Sequence, residues 1–210
     1  AKAKLGRLNK CQLPMDNIFT VFNTIITGTV SIIILYLKYM FKRKAYDPIK
    51  IQNNIDENII AAIEFLRLEL DADRVVIQEF HNGGKYFSGS SQQKLSISYE
   101  SCRKGISSIF RKFQNVRVSA LCNIIKRSMT NHILVDLKDE TCAYSHDLQM
   151  HGTTNAVFTI VKTLTNRNIG LLSIHYVNRN KSKLTEQEEE LINVQRRIIS
   201  GYLVSHKIKI

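Results

Sequence analysis

The feature that most constrains this chain is an uncharged apolar run of twenty residues, Ile18–Leu37. At a helical rise of about 1.5 Å per residue, such a run reaches roughly 30 Å, the thickness of a bilayer's hydrocarbon core. A soluble core helix would show a polar stripe at helical spacing, and a secretory signal would be shorter and end at small residues. This run instead continues into Lys38 and Lys42-Arg43-Lys44. It predicts a transmembrane helix, with a signal peptide or a core helix as the alternatives.

The net charge of +12 suggests either nucleic acid or an anionic membrane as a partner. Residues 1–44 hold eight basic side chains and one acidic side chain, whereas the remaining 166 residues hold 22 basic and 17 acidic ones. Anionic lipid headgroups favour basic residues beside a membrane span. The charge therefore predicts a lipid bilayer and no nucleic acid, with Lys38, Lys42, Arg43 and Lys44 at the membrane surface. Basic residues flank the span on both sides, so the orientation stays open.

The rest of the chain alternates between helical and strand periodicity. Apolar residues recur every three or four positions from Ile55 to Leu70, which predicts an amphipathic helix. Thr185 and Glu188 form a capping box, which predicts the start of a terminal helix. Apolar or alternating runs predict strands at 74–80, 94–100, 133–137, 156–163 and 169–177, and residues 105–129 are expected to be helical in part. This order predicts an α+β fold with one mainly antiparallel sheet flanked by helices.

These patterns divide the chain into four parts. We expect a basic N-terminal tail at 1–17, a transmembrane helix at 18–37, a basic juxtamembrane linker at 38–50 and a globular domain at 51–210. A length of 210 residues agrees with one domain of ordinary size plus an appendage.

Three stretches of the globular part resemble a known family. They are LRLELDADRVVIQEFHN, AVFTIVKTLTNRNIGLLSIHYV and LTEQEEELINVQRRIISGYL. Together they resemble the start and end of a GAF domain, in which a helix leads into the first strand and a polar turn precedes a Gly-Leu-Leu strand and an acidic-capped helix. The resemblance covers residues 51–206 and implies a GAF-like fold. Residues 100–150 depart most from the family pattern, and GAF domains place their ligand-covering segment there.

The order of parts also resembles the lysis holins of T-even bacteriophages. Those proteins have a short basic tail, one span and a globular domain. The resemblance implies oligomerisation in the bacterial inner membrane and the timed opening of large lesions.

A candidate ligand site lies where the first strand is expected to end. His81 and Asn82 follow that strand, and Lys94, Ser96 and Tyr99 on the next strand could line the other side of a pocket. The alternative is a turn in which His81 and Asn82 bond local backbone groups and the following glycines supply positive φ.

No catalytic site is predicted. The sequence lacks the G-x-S-x-G, Walker, H-E-x-x-H and G-x-G-x-x-G motifs, so we expect neither an enzyme nor a cofactor. His146, Asp147 and His151 form the best metal-like group, but a spacing of five places the two histidines on different helix faces, so no metal site is expected.

Two functional hypotheses follow. The first is a holin-like membrane protein that forms homo-oligomers for timed lysis and receives a regulatory protein on its globular domain. The alternative is a membrane-tethered GAF-like sensor that binds a small molecule or a protein partner. We rank the first ahead because its span would itself be the output, and no kinase, cyclase or DNA-binding segment follows the globular domain in this sequence.

Overall fold

A computed structural model describes residues 15–44, 48–121 and 123–207, which form two separate units divided after Ile49. The first unit contains one long helix, α1 (Met15–Lys44). Its segment Phe19–Phe41 is long and apolar enough to cross a membrane, by length and composition. The predicted tail at 1–17 lies largely outside the described residues.

The predicted linker at 38–50 is helical wherever the structure describes it. α1 continues through Lys44, and α2 (Pro48–Glu69) begins four positions later. Lysine and arginine are good helix formers, and no glycine or proline interrupts residues 38–44, so the basic flank prolongs the span's helix. Pro48 stands at the first helical position, where its missing N–H has no partner to lose.

The second unit contains one six-stranded sheet in which every paired strand is antiparallel. The spatial order is β3-β2-β1-β6-β5-β4. The strands are β1 (Arg74–Lys85), β2 (Ser91–Cys102), β3 (Val116–Arg117), β4 (Ile133–Asp136), β5 (Thr153–Lys162) and β6 (Asn168–Val177). The remaining α-helices are α3 (Asn123–Ser128), α4 (Ala143–Met150) and α5 (Glu186–Lys207). The α+β prediction is confirmed.

Each face of the sheet is covered by its own apolar core. On one face, α2 and α5 pack through residues such as Ile63 and Ile199 against Ile77 and Leu172. On the other face, residues 103–150, called here the covering segment, pack through Ile109 and Tyr144 among others. Alternate residues of a strand point to opposite faces, so neighbouring positions of β1 and β6 serve different cores.

The first hairpin is longer than predicted. β1 does not end at Phe80, because pairing continues through His81 with Lys94 and Asn82 with Gln93, then shifts register before Lys85 pairs with Ser91. Gly84, with φ of +105°, lies within this irregular pairing rather than in a terminal turn.

Much of the stretch from residue 105 to 129 is irregular rather than helical. Among the described residues of this stretch, which exclude residue 122, only a short 3-10 turn, Val118–Leu121, and α3 are helical. A long-range contact accounts for the beginning of the stretch. The Glu100 carboxylate accepts hydrogen bonds from the backbone N–H groups of Ile109 (2.9 Å) and Phe110 (3.2 Å). The side chain of Glu100 in β2 therefore bonds backbone amides in a region that the sequence predicted to be partly helical.

The predicted capping box is confirmed at the start of α5. The Thr185 hydroxyl accepts from the N–H of Glu188 (3.2 Å), and the Glu188 carboxylate accepts from the N–H of Thr185 (2.8 Å). Lys181 also donates to Glu188 at 2.5 Å. These hydrogen bonds and the Lys181 charge outweigh desolvation and lower the pKa of Glu188 below its ordinary value.

Candidate functional site

Three of the residues predicted to bind a ligand come together at the β1–β2 hairpin. His81 faces Lys94 in the strand register, and its Nε2 lies 2.8 Å from the Ser96 hydroxyl. That hydroxyl also accepts from the backbone N–H of Asn115 at 2.8 Å, just before β3. The aliphatic part of Lys94 lies over Gly83, in the space that a side chain there would need. Ser96 therefore joins β1 to the segment leading into β3.

The other two predicted residues lie apart from this group. Asn82 is exposed and accepts from the Gln93 side chain at 3.2 Å. Tyr99 donates its hydroxyl to Asp56 of α2 at 2.6 Å, and burial, followed by the contact with Asp56, raises the pKa of Tyr99. Tyr99 thus connects β2 to α2. The role of these five residues in ligand binding stays a prediction.

The predicted membrane-surface residues all belong to α1. Lys38 is exposed. The side chains of Lys42, Arg43 and Lys44 lie outside the described part of the structure.

A second polar group lies on the opposite face of the sheet, beneath the covering segment. Its central charge is Arg74, the first residue of β1, which is fully buried. The Arg74 guanidinium donates to the carbonyl of Ser107 at 2.8 Å and to the hydroxyl of Thr153 at 3.4 Å. Its Nε lies 3.4 Å from the Glu100 carboxylate. The buried arginine therefore has a charge partner, as a buried ion requires.

His175 of β6 lies beside Arg74 in the strand register. Arg74 Nη1 is 3.3 Å from His175 Nδ1. A guanidinium can only donate, so Nδ1 accepts and the proton of the neutral ring is on Nε2. Burial, followed by the charge of Arg74, lowers the pKa of His175 well below its ordinary value. Nε2 has no hydrogen-bond partner among the described residues.

Three more buried side chains complete this group. The Tyr144 hydroxyl of α4 donates to Gln78 Oε1 at 2.9 Å, and burial raises the pKa of Tyr144. Ser173 lies opposite Val76 in the register, between the positions of Gln78 and Arg74. Gln78 Nε2, Ser173 Oγ and Arg74 Nε make no hydrogen bond of normal geometry within the described chain, although Ser173 lies near enough to the Tyr144 hydroxyl to oppose the rise in its pKa. We call the five residues Arg74, Gln78, Tyr144, Ser173 and His175 the inner polar cluster.

Aromatic rings enclose one side of the inner polar cluster. The rings of Phe113 and Phe158 lie 5.3 Å and 6.3 Å from that of Tyr144 in edge-to-face arrangements. Phe158 also contacts His175, with ring centroids 6.4 Å apart. Apolar surroundings strengthen electrostatic interactions and raise the cost of any polar group that lacks a partner.

The unpartnered atoms of the inner polar cluster share a chemical character. Arg74 Nε–H, His175 Nε2–H and the Gln78 amide are donors, and the Ser173 hydroxyl can donate. Leaving a buried donor unsatisfied costs about 1–3 kcal/mol. A hydrogen-bond acceptor beside these atoms would remove that cost. Within the described residues, no group of three His, Cys, Asp or Glu side chains is arranged to hold a metal ion.

Sequence reasoning missed the inner polar cluster, although a signal was present. Arg74 and Gln78 interrupt an otherwise apolar strand on one face, and Ser173 and His175 do the same in β6. Polar residues on a buried strand face indicate a specific polar function, because each needs a partner. Their assembly depends on strand pairing that the sequence alone does not reveal.

The junction before β1 has a structural role. The buried Asp73 carboxylate accepts from the N–H of Val177 at 2.8 Å and from Arg179 at 2.7 Å. Arg103 pairs with the same carboxylate at 3.2 Å. The Asp-Arg-Val junction of the sequence thus fixes the ends of β1 and β6, and directs Arg74 into the interior.

Comparison with solved structures identifies the architecture. The photoproduct state of a GAF domain from Synechocystis matches with a TM-score of 0.55 and 15% identity, covering 75% of this chain and 96% of that one. The globular domain has a GAF fold. A GAF domain/HD domain protein from Geobacter sulfurreducens matches with a TM-score of 0.53 and 10% identity, covering 73% and 94%.

A domain assigned to a two-component sensor histidine kinase protein from Sinorhizobium meliloti gives a TM-score of 0.51 at 15% identity, covering 70% of this chain and 88% of that one. At these identities the likeness concerns the fold. No protein-family model and no curated protein matches the chain. The resemblance to phage holins finds no support in these comparisons, whereas the GAF-like resemblance does.

Proposed function

We propose that this chain is a membrane-tethered GAF-like sensor whose globular domain binds a small molecule at the inner polar cluster. The observation that carries the proposal is the group of buried, unpartnered polar atoms on Gln78, Ser173 and His175. The fold likeness to the Sinorhizobium meliloti domain, which is assigned to a sensor kinase, supports a sensory role.

The chemistry of the inner polar cluster defines the ligand class. A carbonyl or carboxylate oxygen would accept hydrogen bonds from the Gln78 amide and His175 Nε2–H. Because Glu100 already lies against Arg74, the cluster does not require a strongly charged ligand. The domain would act by binding rather than by catalysis.

Movement of the covering segment would couple ligand binding to a change at the surface of the domain. Tyr144 and Phe113 close the cluster from above, so a ligand can enter only when this segment moves. Its displacement would change the surface offered to a regulatory protein or to a second copy of the chain. α1 would hold the sensor in a bacterial inner membrane as a single-pass anchor, with either orientation.

A thermal-shift experiment on the full chain in detergent tests the proposal. A panel of small carbonyl and carboxylate metabolites is added to the parent, Gln78→Leu and His81→Ala proteins. A compound at about 100 times its Kd stabilises by roughly 2.7 kcal/mol, or roughly 5–10 °C in a domain of this size. We expect such a shift in the parent and in His81→Ala, but not in Gln78→Leu.

His81→Ala is the matched control because it alters the hairpin group predicted from the sequence. A shift lost in His81→Ala and kept in Gln78→Leu would move the ligand site to the hairpin. The absence of any shift across the panel would contradict the sensor proposal.

A further inference from the structure

Two neighbouring hairpin turns lie at the same end of the sheet. β1 and β6 are antiparallel, and Glu79 near the end of β1 pairs with Gly170 near the start of β6. The turn after β1 and the turn before β6 therefore project in the same direction. We call this the hairpin end. Each turn presents a fully exposed apolar side chain, Phe87 in the first and Leu164 in the second.

Backbone hydrogen bonds hold both turns in shape. In the first turn, the N–H of Tyr86 donates to Ser90 at 2.8 Å and the N–H of Gly89 donates to Tyr86 at 2.9 Å. In the second turn, the N–H of Thr163 donates to the carbonyl of Arg167 at 2.9 Å. The two apolar side chains are thus presented outward by ordered turns, where exposure to water costs free energy.

A basic groove of about 790 Å³ lies at the hairpin end, between the second turn and α5. Ile169 and Leu203 contribute apolar surface to it. Among the described residues, no ion pair involves any of its four basic side chains. These basic side chains are Lys162, Arg167, Arg196 and Arg197.

Some of the groove's polar side chains have internal partners. Lys162 donates to the Met129 carbonyl at 2.7 Å, and Arg196 donates to the Thr159 hydroxyl at 3.3 Å. The acidic lining residue, Glu79, accepts from Ser98 at 2.7 Å. Arg167 and Arg197 are exposed, so their guanidinium groups can contact an external anion.

The direction of α2 within the globular unit follows from its contacts with β2. Arg67, near the end of α2, contacts Ser101 of β2. Asp56, eleven positions earlier in α2, contacts Tyr99, which is two residues nearer the turn of the β1–β2 hairpin. α2 therefore begins toward the hairpin end. Its residue Lys50 follows Lys44, the last residue of α1, by six positions.

We propose that the hairpin end docks onto an anionic bilayer surface, with Phe87 and Leu164 entering the headgroup region and Arg167 and Arg197 contacting lipid phosphates. Apolar side chains flanked by Arg and Lys are the combination that binds the interface of anionic membranes. The partner is the lipid itself, and the α1 anchor keeps it within reach.

Tryptophan fluorescence tests this docking, because the chain contains no tryptophan. Phe87→Trp, Leu164→Trp and Met150→Trp are each reconstituted as full chains in phosphatidylglycerol-rich vesicles containing lipids brominated in their acyl chains. Met150 is exposed and lies near the start of β5, at the opposite end of the sheet from the two turns. We expect quenching and a blue shift at positions 87 and 164, and neither at 150.

The charge dependence is tested in the same vesicles. Adding Arg167→Gln and Arg197→Gln to Phe87→Trp, or replacing the anionic lipid by phosphatidylcholine, should abolish most of the quenching. Equal quenching at positions 87 and 150, or quenching independent of lipid charge, would overturn the docking proposal. Both mutated turn positions are fully exposed, and circular dichroism of each variant checks that the fold is retained. The readout does not require a bound metabolite, so it is independent of the sensor proposal.

Discussion

Gly170 of β6 tests how tightly the central strands pair. A Cβ at this position would lie 2.5 Å from the backbone carbonyl oxygen of Gln78 and 3.6 Å from the Cα of Glu79. An ordinary contact is about 3.5–4.0 Å, so Gly170→Ala requires a separation of about 1 Å between β1 and β6. A backbone carbonyl cannot rotate away as a side chain can.

Overpacking of this kind costs typically 1–3 kcal/mol, and the backbone obstacle places Gly170→Ala near 3 kcal/mol. For a domain of this size, the loss corresponds to a fall in Tm of roughly 6–12 °C. Gly201→Ala is the matched control, because Gly201 lies within α5 and a Cβ there meets no atom within 4 Å. It should raise stability by about 1 kcal/mol through helix propensity.

Thermal unfolding of the detergent-solubilised full chain, followed by circular dichroism, measures both variants. We expect the highest Tm for Gly201→Ala, an intermediate Tm for the parent and the lowest Tm for Gly170→Ala. A Gly170→Ala protein that melts within a degree of the parent would refute the close approach of β1 and β6 on which the inner polar cluster depends.

Two further predictions concern pH and the terminal helix. The pKa of His175 is lowered in the fold, so below about pH 6.5 the unfolded chain binds a proton that the folded chain does not, and stability falls as pH falls. For this group the slope of the unfolding free energy against pH approaches about 1.4 kcal/mol per pH unit. His175→Gln keeps an acceptor for Arg74 and should reduce the pH dependence of the free energy measured by urea unfolding between pH 6.5 and 5. An unchanged pH dependence would contradict the assignment. Thr185→Ala should cost about 1 kcal/mol in urea unfolding, whereas Thr165→Ala in an exposed turn should cost less, and equal losses would argue against the capping role.

Local signals in the sequence predicted most of the elements. The capping box at Thr185 and the periodicity from Ile55 to Leu70 depend on residues within a few positions of one another, so the sequence is sufficient to find them. The motifs shared with GAF domains predicted the fold for the same reason. Each motif is a contiguous stretch, such as Asp73-Arg74-Val75, that is recognisable in the sequence although its contacts in the fold are distant.

Features that depend on distant partners were not predicted. Gly83 and Gly84 indicate a turn locally, yet pairing with β2 continues the strand past them. Arg74 and His175 meet although 101 positions separate them. The inner polar cluster, whose side chains come from β1, β6 and α4, therefore depends on the register of the sheet.

The central claim is that a small molecule contacts the inner polar cluster. Nuclear magnetic resonance of the full chain with 15N-labelled histidine measures this directly, and His175→Gln assigns the His175 signals among the six histidines. We predict that a compound raising the Tm shifts the Nε2–H resonance of His175, because it supplies the missing acceptor. An unchanged His175 resonance in the presence of such a compound would contradict the claim.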